Sequence, residues 1–299
     1  MCFVFAGSID LSNQSVFVDI KKKIILINDD IDKFNSSFDK VSKLVIDNQE
    51  YVLSERVESF KVGQEYITEY EDTEYSLYFT SLPIVNMRVE NPIVDTPKVL
   101  GNFTLITSDG KKVSSLIGVE YRGATSQAYP KKSMEIEFWK DSEGDDTVDY
   151  SLLGLRETDS YNLQAIYNEP LRVNSKLSND FWRQMHTIHY LDKEPEAKNG
   201  ITMEYVELFL NGEYRGVYAL GEKVGRGQLK LKKYKDGEIK GELYKGDTWG
   251  GTTFTNLIPY DNSSDVWNGF EYKHPKEEID WGNMYSLVDF VMNSSDEVF

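Results

Sequence analysis

The chain has 299 residues, 40% hydrophobic and 13% aromatic, with 19 tyrosines and a formal net charge of -17. That length holds one large domain or two ordinary ones, and the apolar content excludes a disordered chain. The negative charge argues against a nucleic-acid or anionic-membrane binder, because its long-range field repels polyanions.

A single cysteine, Cys2, excludes an intrachain disulfide and a cysteine metal cluster. The start, Met1-Cys2-Phe3-Val4-Phe5-Ala6-Gly7-Ser8, is apolar but lacks a basic end and is too short for a signal peptide. It reads as the trimmed end of one, or as a buried first strand. No apolar run reaches the length of a membrane helix.

Residues 9 to 80 read as short strands between polar turns: Val16-Phe17-Val18-Asp19-Ile20, Lys23-Ile24-Ile25-Leu26-Ile27, Ser42 to Ile46 and Tyr51-Val52-Leu53. Their β-branched content and regular spacing predict a small β-sandwich-like or barrel domain over residues 1–82. Asp30, Asp32 and Asp39 lack calcium-loop spacing and read as turn and surface residues. Between Glu65 and Tyr75, tyrosines alternate with carboxylates, as in a hairpin with one charged face. Leu82-Pro83 marks a boundary, and residues 83–299 form the second predicted domain. Strands follow from Val85 to Val89, Gly101 to Thr107 and Val113 to Tyr121.

The stretch from Val119 to Phe138 carries the first candidate site. Met134, Ile136 and Phe138 alternate with Glu135 and Glu137, the period of a half-buried strand. The loop before it holds Arg122, several hydroxyl groups, Pro130 and the pair Lys131-Lys132. A guanidinium fork at one strand end and ammoniums at the next strand start can converge on one anion. A solvated hairpin whose lysines guard a strand edge is the competing interpretation.

Further on, Val173, Leu177, Phe181, Met185 and Ile188 fall on one face of a helix predicted over 171–190. His186 and His189 lie three apart on it without a third ligand at motif spacing, so ordinary helix histidines outweigh a metal hydrolase. Asn211-Gly212 between two strand-like flanks predicts a type I′ hairpin. A basic stretch, Arg226 to Lys235, contains no phosphate-loop pattern. A last helix is predicted over 277–292.

Four ordered segments resemble the CotH kinase family, named after spore coat protein H. They are 122–138, Leu152-Leu153-Gly154-Leu155, Leu171-Arg172-Val173-Asn174, and Asn211-Gly212-Glu213-Tyr214-Arg215-Gly216-Val217-Tyr218 with Glu222-Lys223. The resemblance runs from about residue 83 to the end. It implies an α+β chain in which the sandwich-like domain precedes the β-rich part of an atypical protein-kinase-like fold with a few helices. It also implies transfer of the ATP γ-phosphate to Ser or Thr of a protein, with Mg2+ or Mn2+, in an exported or cell-surface bacterial protein. By the same resemblance Arg122, Ser126 and Lys131 or Lys132 lie on nucleotide phosphates, and Glu222 orients a lysine.

The family's metal-binding and catalytic aspartates are expected beyond the segment resembling 277–299. Asp247, Asp261 and Asp280 do not sit in that motif. The chain is therefore expected to be a fragment or a degenerate member carrying the nucleotide side of the site, with catalytic residues unassigned. The alternative is a non-catalytic extracellular or cell-surface module binding a cell-wall polymer or protein. Trp249-Gly250-Gly251, Trp267 and Trp281 would suit sugar stacking, against the simpler role of core anchors.

Overall fold

In a computed structural model, which describes residues 7–11, 15–247, 254–295 and 297–298, strands dominate and helices are few. Cys2 and most of the apolar start lie outside the described residues, as does Trp249-Gly250-Gly251. The chain divides into two compact units, Met1–Asn179 with Thr202–Glu222, and Asp180–Ile201 with Lys223–Phe299.

The first unit opens with β1 (Ser8–Asp10), β2 (Ser15–Asp19), β3 (Ile24–Asn28), a short helix α1 (Ile31–Asn35), β4 (Val41–Ile46), β5 (Gln49–Val57), β6 (Tyr66–Tyr70) and β7 (Thr73–Thr80). These strands form one sheet in the order β1-β4-β5-β6-β7-β3-β2. This corrects the sandwich expectation. Parallel pairings of β1 with β4 and β3 with β7 join all seven strands into one continuous sheet rather than two. Local alternation carries no record of such long-range partners. Tyr51, Leu77 and Phe79 pack with Phe60 and with Phe34 of α1 in its core. Sequence patterning missed α1. Asp30, expected only as a turn residue, caps it, accepting the N–H of Asp32 at 3.2 Å and of Lys33 at 3.1 Å.

Seven further strands close a barrel. They are β8 (Ile84–Val89), β9 (Val99–Ile106), β10 (Lys112–Tyr121), β11 (Met134–Trp139), β12 (Ser160–Gln164), then, after helix α2 (Asn174–Met185), β13 (Met203–Leu210) and β14 (Glu213–Gly221). Their order around the barrel is β10-β11-β12-β14-β13-β8-β9. Met134, Ile136 and Phe138 point into its core, as their period requires. On the outer side Glu120, Glu135 and Glu137 surround the Lys98 ammonium at 3.9, 3.3 and 3.4 Å. Burial works against that charge, but the three carboxylates outweigh it and raise the Lys98 pKa.

The amino-terminal sheet lies against the barrel through Leu26, Ile84 and Phe209, with Phe17, Tyr78 and Tyr214 around them. Glu207 is buried near this seam and accepts hydrogen bonds from Thr80 Oγ1 at 3.3 Å and Tyr214 Oη at 2.6 Å. Burial raises its pKa, an effect that the two hydrogen bonds reduce.

Helix α2 corrects another expectation. It is shorter than 171–190, and Leu177, Phe181 and Met185 are exposed, Met185 by 79%. The helical period is present, but no residue of α2 is buried.

The second unit contains α3 (Arg226–Leu229), β15 (Leu243–Gly246), β16 (Val266–Trp267), β17 (Phe270–His274) and α4 (Gly282–Asn293). The three strands form a sheet in the order β15-β17-β16. Trp267, Tyr272, Trp281, Met284 and Val288 make its core, so Trp267 and Trp281 anchor packing. Helix α4 starts later than expected, just after Asp280 accepts the Gly282 N–H at 3.0 Å. His186 stacks on Trp182 with centroids 4.5 Å apart, and His189 meets Tyr190 edge-on. Among the described residues no helix is long and apolar enough to cross a membrane.

Candidate phosphate-binding site

The loop from β10 to β11 is closed at its base by the Arg122 N–H, which donates to the Ser133 carbonyl at 3.0 Å. Within it Thr125–Ala128 form a 3-10 turn. Gly123 has φ +98°, and a Cβ there would lie 2.1 Å from Ser126 Oγ, so the turn requires glycine. The Gln127 amide donates to Asp95 Oδ1 at 2.7 Å and to the Gly123 carbonyl at 2.6 Å. Lys132 Nζ in turn donates to the Gln127 carbonyl at 2.7 Å. Its neighbour Lys131 donates to the Val217 carbonyl and lies 4.2 Å from the centroid of the Tyr218 ring.

The opposite wall comes from the β13–β14 hairpin. Asn211 and Gly212 take φ of 52° and 77°, the two left-handed residues that the type I′ turn needs. Beyond the turn the register shifts: Phe209 pairs with Tyr214 and Leu208 with Gly216. Arg215 is thus the extra residue of a β-bulge, with Gly216 at φ 83° beside it. Bulges re-aim side chains, and this one contributes Arg215 to the cavity wall.

A third element arrives from the amino-terminal sheet. Asp19, fully buried at the end of β2, accepts the N–H groups of Lys21 and Lys22 on Oδ1, both at 2.9 Å. Its Oδ2 accepts the Tyr214 N–H at 2.8 Å. The β2–β3 turn is thereby fastened to β14. Lys21 pairs with Glu213, while Lys22 Nζ donates to the Tyr214 carbonyl.

These pieces enclose a cavity of about 240 Å³ lined by Lys22, Tyr121, Pro130, Lys131, Lys132, Met134, Leu210, Arg215 and Tyr218. Met134, Leu210 and Tyr218 belong to the barrel core, so the cavity opens at a barrel mouth, a common place for ligands. Four of the lining side chains are cationic and none is a carboxylate. The three ammoniums donate to neutral carbonyl oxygens, which hold them without cancelling their charge. Arg215 also meets Glu213 Oε2 at 3.1 Å. Burial, reinforced by the charge of Arg172 and partly offset by Glu207, lowers the Lys131 pKa to about 8. An arriving anion would relieve that strain on the charged form.

Of the residues singled out in the sequence, Lys131 and Lys132 meet in this cavity, while Arg122 and Ser126 lie outside its lining. Glu222 is fully buried, and its oxygens accept the N–H groups of Arg156 at 2.7 Å and Thr202 at 3.1 Å. It thereby fixes the chain just after Leu152 and Leu155, which are buried in the barrel core. Lys22 and Arg215 were missed as site residues. The signals present were a three-lysine turn, Lys21-Lys22-Lys23, and an arginine directly before a glycine in a hairpin arm.

The family model described as CotH kinase protein matches residues 119–299. The chain belongs to the CotH kinase family. The match begins inside β10 rather than near residue 83, so it covers Lys131, Lys132, Arg215 and Glu222 but not Lys22. No curated protein matches the chain. CotH kinase membership implies, in general, ATP and a divalent metal. Among the described residues no group of three His, Cys, Asp or Glu side chains is placed to hold a metal ion. Asp261 and Asp280 have local structural roles, accepting the N–H groups of Ser263 and Gly282.

Proposed function

We propose that the cavity at the barrel mouth binds the phosphate chain of ATP, and that the protein serves transfer of the γ-phosphate to Ser or Thr of a protein partner. The observation that carries this reading is the convergence of Lys22, Lys131, Lys132 and Arg215 on one small cavity without a carboxylate. Its volume of about 240 Å³ is below the usual range for pockets enclosing a whole small molecule, so it suits phosphates rather than the complete nucleotide. Charge-assisted hydrogen bonds from ammoniums and a guanidinium are the natural recognition of such a chain. Lys131 and Lys132 bind and orient the phosphates, and Arg215 adds a planar fork at the edge. Arg122 and Ser126, on the loop carrying both lysines, are part of the same proposal as phosphate-binding residues. Glu222 contributes by holding the buried backbone behind the site.

The same proposal assigns recognition of the protein partner and phosphoryl transfer to residues 83–299, with the amino-terminal domain 1–82 contributing Lys22 to the phosphate site, and locates the protein outside the cell or at its surface. Trp267 and Trp281 are buried and offer no sugar-stacking face, while Trp249 lies outside the described residues. Thermal unfolding with added ligand tests the proposal. ATP and inorganic tripolyphosphate should both raise the midpoint at millimolar concentration, and adenosine should not. Stabilisation by adenosine alone, or by none of the three, would overturn it.

A further inference from the structure

The cavity takes one of its cations from a distant part of the chain. Lys22 sits in the turn between β2 and β3, almost a hundred residues before the family match begins. An exposed run of three lysines in a turn ordinarily samples many positions, since lysine carries large side-chain entropy. Here the backbone of that turn is fixed. The fully buried Asp19 carboxylate accepts three backbone N–H groups, two from the turn and one from Tyr214. Tyr214 directly precedes the bulge residue Arg215. One carboxylate therefore sets Lys22 and the cationic strand edge of β14 in a common frame.

We infer that the amino-terminal sheet completes the anion site: Lys22 is a binding residue for a condensed phosphate, and Asp19 is the positioning residue that delivers it. The inference rests on the phosphate-site proposal above and extends it to residues outside the family match. Four cations around so small a space repel one another, and the repulsion is relieved best by a ligand bearing several charges. A di- or triphosphate meets that condition better than a single orthophosphate, which carries fewer charges at pH 7. Lys21 is the internal contrast. It carries the same charge one residue away, but it pairs with Glu213 and does not line the cavity.

Isothermal titration of the full chain with inorganic tripolyphosphate and with orthophosphate at pH 7 tests this. Tripolyphosphate should bind more tightly, and Lys22→Ala should weaken it about tenfold, the loss of one charge-assisted hydrogen bond. Lys22→Arg should restore affinity to within about threefold, and Lys21→Ala should change it by less than about twofold. Asp19→Asn should weaken binding in the wild-type background and cost clearly less in the Lys22→Ala background, because only the part that acts through the β14 edge remains there. An unchanged Lys22→Ala affinity, with loss in Lys131→Ala/Lys132→Ala, overturns the inference and leaves the phosphate site standing. Equal losses for Lys21→Ala and Lys22→Ala overturn it too, since only the general field would then matter. Tighter binding of orthophosphate overturns the condensed-phosphate assignment, and a full Asp19→Asn loss on top of Lys22→Ala overturns the positioning role. No loss in Lys131→Ala/Lys132→Ala overturns the site itself.

Discussion

The ammonium of Lys131 lies 4.2 Å from the centroid of the Tyr218 ring, and both residues line the cavity at the barrel mouth. The ring is an apolar floor, and its face carries negative potential that tolerates a cation. That arrangement holds a charged lysine at the edge of a hydrophobic core. It explains why burial depresses the Lys131 pKa without removing the residue from reach of a ligand.

If the cavity holds the phosphates of ATP as proposed, the depressed pKa makes that binding depend on pH. Lys131 is protonated at neutral pH and loses its proton near pH 8 instead of near its ordinary 10.5. Affinity for ATP should therefore fall as pH rises from 7 to 9, measured by titration calorimetry. Lys131→Arg should hold its affinity across that range, because guanidinium stays charged. Stability runs the other way. Between about 8 and 10.5 the unfolded lysine binds a proton that the folded one has released, so this residue's contribution to stability increases with pH there.

Tyr218→Phe keeps the ring and removes the hydrogen bond from Oη to the Lys132 carbonyl, 3.2 Å long. Stability should drop by about 0.5–1.5 kcal/mol in denaturant titration. Phosphate affinity should stay within about twofold, since a lost hydrogen bond to Lys132's backbone leaves both ammoniums in place.

Glu222→Gln tests the buried carboxylate behind the site. The native oxygens each accept a backbone N–H, from Arg156 and Thr202, and an amide can satisfy only one. A loss of about 1–3 kcal/mol is expected in chemical unfolding. A change below a few tenths would show that these hydrogen bonds are replaced by water.

Much of this architecture could be read along the chain. The strands from Val16 to Ile27, the Met134-Ile136-Phe138 face and the Asn211-Gly212 turn are local patterns with period-two or turn chemistry behind them. The partners of those strands were not legible. Which strand lies beside β3 depends on a parallel pairing with β7, some fifty residues away. The site divided along the same line. Lys131 and Lys132 are adjacent in sequence and could be found together, whereas Lys22 reaches them only through the buried Asp19 and the docking of β2 on β14. Helix α2 failed for another reason. Its apolar spacing was sound, but spacing alone does not say that a face is covered.

Gly212→Ala isolates the turn. A Cβ at Gly212 would meet nothing within 4 Å, so any cost comes from its φ of 77°. About 1 kcal/mol of destabilisation is expected in thermal or denaturant unfolding, with the barrel intact. Because this turn sets the register from which Arg215 bulges, tripolyphosphate affinity should fall in parallel if the turn shifts.

The claim that Lys131 and Lys132 hold phosphate is tested most directly by the ATP affinity of the full chain and of its Lys131→Ala/Lys132→Ala variant, measured by isothermal titration calorimetry at pH 7. Removing two charge-assisted hydrogen-bond donors from one small cavity should weaken binding by at least about tenfold. Equal affinities in the two proteins would contradict the account.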